Sequence, residues 1–234
     1  MKEISIEEIY LNELNNLNDW YELSQNYILS EEIIEEFADK VYWEIISIHQ
    51  TLSEPFIEKY KDKLDWRFIS IYQKLSEKFI EKHKDKISWY SISEHQTLTE
   101  TFIEKYSDKL DWNEISISQT LSEPFIEKHA ERVDWRFISA YQKLSEPFIE
   151  KYKNRINWNR ISCNQKLSES FIRKYKNNLY WKYISKYQRL SESFIEEFKD
   201  KVTWNLIFEY QNLSDEFRKR FEYKDINKIF KRKE

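Results

Sequence analysis

Apolar positions recur at helical spacing within short segments, and the segments themselves recur. The stretch from Leu52 to Lys74, LSEPFIEKYKDKLDWRFISIYQK, shows one period. Ser53 is a good N-cap, and Glu54 and Pro55 suit a first helical turn. Phe56, Ile57, Tyr60 and Leu64 then fall on one face, with Glu58, Lys59, Lys61 and Asp62 mainly opposite, which predicts a first helix. Asp65 caps a second segment, in which Trp66, Ile69, Ser70 and Gln73 follow at i, i+3, i+4 and i+7. Pieces such as RFISIYQ are β-branched and aromatic, but the recurrent positions keep a period near 3.6 and capping residues precede each segment, so the reading is helical.

The period is 23 residues and has no insertions. Tryptophans stand at Trp20, Trp43, Trp66, Trp89, Trp112, Trp135, Trp158, Trp181 and Trp204, and glutamines keep the same step from Gln50 to Gln211. The first-helix cap is Ser or Thr in nine successive units, Ser30 to Ser214. The residue before each tryptophan is Asp, Ser, Asn or Thr except at Tyr42 and Tyr180. A unit of two short helices cannot bury its own apolar face, but stacked units can. The expected fold is all-α, an α-solenoid of nine 23-residue helix–turn–helix repeats in one domain spanning 1–234. Residues 1–27 form an N-terminal capping unit in which Tyr10, Leu11 and Leu14 take the places of Phe56, Ile57 and Tyr60. Residues 28–211 hold eight regular repeats, and 212–234 a decayed, basic C-terminal cap.

Composition narrows the chemistry. The chain has no glycine, where average usage would give about 16. Glycine-dependent phosphate loops, dinucleotide fingerprints, the nucleophile elbow and the EF-hand loop are therefore excluded. A single cysteine, Cys163, excludes a disulfide framework and a cysteine-rich zinc site. The acidic start MKEISIEEIY does not read as a signal peptide, and no apolar run reaches membrane-spanning length. A soluble, cytoplasmic protein is expected. Net charge is −4 with both signs interspersed, so no global basic field invites nucleic acid. The ends differ: residues 1–40 carry two Lys/Arg against eleven Asp/Glu, a net −9, and residues 212–234 carry eight against five, a net +3. Head-to-tail self-association is one expectation from that asymmetry.

The repeated tryptophans could stack on bases or sugars. A residue identical in every unit, however, does the same job in every unit, and in a solenoid that job is contact with the neighbour. Trp43, Trp66, Trp89, Trp112, Trp135, Trp158, Trp181 and Trp204 are therefore expected as core, one per layer. The Ser70 type lets helices approach closely, and the Gln73 type satisfies backbone groups at the turn into the next unit.

Function is sought where units differ. Positions two and six after the tryptophan are neighbours on the second helix and form one lane. Its candidate binding residues are His49, Phe68, Tyr72, His95, Phe137, Tyr141, Arg160, Tyr183, Tyr187 and Tyr210. Such residue types are common at interface hot spots. The alternative, that these aromatics pack between units, stays open. His83 and His129 occupy the Tyr60 position and are expected to pack as tyrosine substitutes. His49 and His95 lie two units apart, too far to share an ion. No metal site, no cofactor and no constellation of acid, base and nucleophile is expected, so the chain is read as not an enzyme.

The unit LSExFIEKYKDKLDWxxISxYQ resembles tandem repeats in uncharacterised proteins of giant DNA viruses and of related large viral and AT-rich bacterial genomes, over about Leu29 to Gln211. The resemblance implies a viral or virus-like origin, with a host cytoplasmic location and a host component, including one of host defence, as partner. It supplies no catalytic residues. The leading expectation is a non-enzymatic scaffold or adaptor binding a protein or peptide along the lane. The alternative is a nucleic-acid or nucleotide-binding repeat protein. Charge disfavours it, because Arg67, Arg136, Arg160 and Lys182 share the surface with Glu22, Glu44, Glu94, Glu114 and Glu209.

Overall fold

A computed structural model describes residues 2–14 and 19–221. It is an α-solenoid of alternating short helices and tryptophan-led helices, and the chain divides into two compact units, 1–119 and 120–234. In the first, the Trp helices are Trp20–Asn26, Trp43–His49, Trp66–Tyr72, Trp89–His95 and Trp112–Ser118, each packed on the next. In the second they are Trp135–Tyr141, Trp158–Asn164, Trp181–Tyr187 and Trp204–Tyr210, packed likewise. Short helices such as Glu54–Lys59 and Glu146–Lys151 precede them, and residues 215–221 are helical. Among the described residues no helix is long and apolar enough to cross a membrane. The C-terminal cap expected over 212–234 lies outside the described residues beyond Phe221.

The short helix ends earlier than the apolar pattern implies. Its last helical residue is Lys59. Tyr60 is the C-cap (φ −110°, ψ 22°), and Leu64 reaches the core from a turn closed by Lys63 and Leu64 N–H donating to the Tyr60 carbonyl. None of the caps among the described residues takes the left-handed conformation. The Trp helices instead run straight into extended backbone at glutamine, as at Gln73 (φ −95°, ψ 144°). A helix that ends this way has no use for a C-terminal glycine, which makes the glycine-free composition structurally affordable.

Isoleucines, not tryptophans, are the most enclosed residues. Ile57, Ile69, Ile80 and Ile92 in the first unit, and Ile126, Ile138, Ile149 and Ile161 in the second, are fully buried. Of the expected core tryptophans only Trp135 is buried. Trp43, Trp66, Trp89, Trp112, Trp158, Trp181 and Trp204 are half-buried. The reason is where the ring sits. Trp66 donates its indole N–H to the Lys61 carbonyl (2.8 Å) and lies on Phe79 and His83 of the following repeat (6.2 and 4.7 Å). Lys86 covers its outer edge (5.8 Å). The indole seals the seam between two repeats rather than filling the layer.

Two polar ladders hold the repeats together. Ser70 Oγ donates to the Trp66 carbonyl (2.6 Å) and accepts the Ser88 N–H of the next repeat (3.0 Å). Gln73 works in the opposite direction. Its Nε2 donates to the Ser47 and Gln50 carbonyls of the preceding repeat (3.1 and 2.7 Å), and its Oε1 accepts the Leu52 N–H (2.9 Å). The glutamine thus satisfies the preceding turn, not the turn into the next unit. Both residue types are buried, so these bonds answer groups that would otherwise be orphaned. A third ladder runs at the surface, where Glu54 accepts the Ser76 N–H (2.5 Å) and Glu146 the Ser168 N–H (2.5 Å).

The two flanking repeats depart from this scheme for definite reasons. In the first, Tyr10 and Leu11 are exposed while Ile4 and Ile9 are buried, so the expected placement of Tyr10 and Leu11 is out of register; the Leu14 side chain lies outside what is described. A two-residue parallel pair, Lys2–Glu3 with Tyr27–Ile28, was not expected. Tyr27 stands at the glutamine position of the first described Trp helix. At the other end Phe208 replaces the recurrent serine, and the Arg218 guanidinium donates to the Phe208 and Gln211 carbonyls (3.1 and 3.5 Å). Those are the carbonyls that a following glutamine would claim.

Candidate functional site

Once the repeated residues are assigned to seams and ladders, the outward side of the Trp helices is left. Position six after each tryptophan is open to solvent. Tyr72, Tyr141, Tyr187 and Tyr210 are 56%, 60%, 50% and 46% exposed, His95 is exposed and His49 half-buried. Position two is sunk further: Phe68, Phe137 and Tyr183 are half-buried, while Arg160 is exposed. The two positions meet as expected within each helix, with ring centroids 6.3 Å apart for Phe68–Tyr72, 6.3 Å for Phe137–Tyr141 and 6.2 Å for Tyr183–Tyr187. Each pair is a supported platform. The inner ring anchors against the fold and the outer ring presents a face.

Cations hold these platforms differently along the chain. Arg67 lies over Phe68 and pairs with Asp65, and Arg136 lies over Phe137 and pairs with Asp134 (2.6 and 2.7 Å). The guanidinium holds each aspartate below the usual carboxylate range, aided by the backbone N–H groups that the same carboxylate caps. Lys186 bridges Tyr187 and Tyr210 (5.1 and 4.8 Å), and the tyrosine hydroxyls push its ammonium up. In the first unit Tyr90 donates to Glu114 (3.1 Å), which raises the phenol.

Among the described residues, four further exposed aromatics in the Trp helices or at their N-caps, Tyr21, Tyr42, Tyr90 and Tyr180, were missed by following only two positions. Tyr42 and Tyr180 carried a signal, since both break the capping rule before the tryptophan and make no side-chain cap bond.

The remaining candidates do not assemble a reactive centre. His83 packs against Trp66 and Phe79, with Nε2 2.8 Å from Glu58 Oε2. His129 packs on Phe125. His95 Nε2 lies 3.3 Å from its neighbour Glu94. Among the described residues no three His, Cys, Asp or Glu side chains are placed to hold a metal ion, and Cys163 is a half-buried free thiol. A cleft of about 500 Å³ opens between the C-terminal ends of the helices Trp135–Tyr141 and Trp158–Asn164, bordered by Tyr141, Lys143, Asn164 and Lys166. Comparison with protein-family models, with curated proteins and with solved structures found no match to this chain.

Proposed function

We propose that the chain is a non-enzymatic scaffold that binds a protein or peptide along the outward side of its Trp helices. One observation carries this reading. The residues that recur are spent on contact between repeats, whereas position six after the tryptophan varies from repeat to repeat and its tyrosines Tyr72, Tyr141, Tyr187 and Tyr210 are exposed. Large rings held open to water on a rigid support are the usual anchors of protein interfaces. A cytoplasmic partner, belonging to a host if the viral resemblance holds, fits the expectation from the sequence.

Affinity capture from cells with the wild-type chain and with the triple variant Tyr72→Ala/Tyr141→Ala/Tyr187→Ala tests the reading. The expected result is a protein retained by the first and lost by the second, with the same melting temperature for both. Retention by both would place the interface elsewhere. Capture of RNA or DNA in place of protein would favour the nucleic-acid alternative.

A further inference from the structure

In the second compact unit the cations of the short helices and their turns include ion-paired ones beside unpaired ones such as Lys153, Lys176 and Lys199. On the short helices and the turns that follow them, Lys151 pairs with Glu127, Lys174 with Glu150, Arg155 with Glu131 and Arg173 with Glu197. On the Trp-helix side Lys143, Arg160, Lys166, Lys182 and Arg189 are exposed and have no carboxylate partner among the described residues. Glu209 is the one acidic residue at the matching positions of this unit. In the first unit those positions carry Glu22, Glu44, Glu94 and Glu114 against Arg67 and Lys74, so the excess of positive charge is local. Tyr141, Lys143, Asn164 and Lys166 border one cleft, which brings an aromatic face, a side-chain amide and two free ammonium groups to one place.

We propose that this side of the second unit, centred on the cleft, binds an extended acidic peptide segment. The proposal deepens the peptide-binding reading above and rests on it. Spacing selects the occupant. Packed neighbouring helices lie about 8–10 Å apart, and an extended chain advances about 3.3 Å per residue, so one repeat corresponds to three peptide residues. The free cations come at one or two per repeat in the three repeats led by Trp135, Trp158 and Trp181. That matches a carboxylate at every third residue and falls well short of a nucleic-acid strand, with its phosphate at about every 3.4 Å of helix rise. The Asn164 amide offers a donor and an acceptor to a peptide group, and Tyr141 offers its face to an apolar side chain between the acids.

Selection of random peptides of about 12 residues, four repeats of three, displayed against the full chain tests this directly. The expected peptides are enriched in Asp and Glu. Their binding falls as salt rises, and it weakens about tenfold or more in Lys143→Glu/Lys166→Glu/Arg189→Glu but not in Lys74→Glu. All four substitutions are at exposed sites without partners, so an unchanged thermal melt accompanies them. Peptides without an acidic surplus that nonetheless depend on Tyr141 and Tyr187 would overturn the acidic partner and leave the peptide-binding reading standing. No enriched peptide, or tighter binding of an oligothymidine of similar length, would overturn both.

Discussion

The buried hydroxyl of Ser162 accepts the Tyr180 N–H of the next repeat (2.9 Å) while it donates to the Trp158 carbonyl (2.7 Å). In Ser162→Ala the Tyr180 N–H loses its acceptor at a part-buried site, a cost of about 1 kcal/mol or more. Chemical denaturation should show this as a lower midpoint with an unchanged slope. The relative weight of Ile161 and Trp158 is a second expectation at this scale. Ile161 is fully enclosed, so Ile161→Ala should cost about 2–5 kcal/mol, whereas the half-buried Trp158 falls below the 3–5 kcal/mol typical of an enclosed ring. Equal losses, or a larger one at Trp158, would return the tryptophan to the core. The 23-residue step made Trp, Ser and Gln visible as shared structural residues. It could not separate a residue that fills a layer from one that seals a seam, because both recur once per unit. Nor could it give the direction in which Gln73 reaches, because an identical unit lies one period before it and one period after it.

At the scale of helices, the short elements are stitched by ion pairs that span one repeat, such as Lys59–Glu35 and Lys82–Glu58 (2.8 and 2.7 Å). Glu58 receives Lys82, Lys61 and His83, and these hydrogen bonds, led by that from Lys82, bring its carboxyl down to about 2 from 4.5. A carboxyl that is harder to protonate in the folded state stabilises fully above the unfolded value. That contribution fades as the pH falls from about 4.5 towards 2. The stability gap between wild type and Glu58→Gln should therefore be wider at neutral pH than near pH 2, and a constant gap would remove the ion pairs as its cause. Arg218 makes a separate prediction. With its guanidinium gone in Arg218→Ala, the carbonyls of Phe208 and Gln211 lose a donor, and amide exchange should quicken over residues 204–211 while the helix Trp158–Asn164 keeps its protection. The short-helix and Trp-helix alternation was legible from capping residues and apolar spacing. The early end at Lys59 was not, since Tyr60 and Leu64 keep helical spacing although a turn carries them. Nor was the displaced first helix, where Ile9 rather than Leu11 faces inward.

Among the described residues the serine and glutamine contacts that join repeats each reach one repeat away, 18 residues forward for the serine hydroxyl and 21, 23 and 26 back for the glutamine. Removing residues 75–97, one full period, should therefore leave a folded first unit with a slightly lower melting temperature. Removing residues 75–85 should unfold it, and circular dichroism distinguishes the two outcomes. The lane was legible as a place where units differ, and its outer tyrosines are exposed. The free cations of the second unit were not singled out, because Lys143, Lys166 and Arg189 follow the helix and only the fold brings two of them to the cleft. The opposite reach of serine and glutamine also gives the array a polarity, as in a filament with unlike ends. Growth by addition of another chain would need a glutamine to present at one end and vacant carbonyls at the other. Tyr27 stands in place of the glutamine in the first Trp helix, and Arg218 already donates to the Phe208 and Gln211 carbonyls of the last described one.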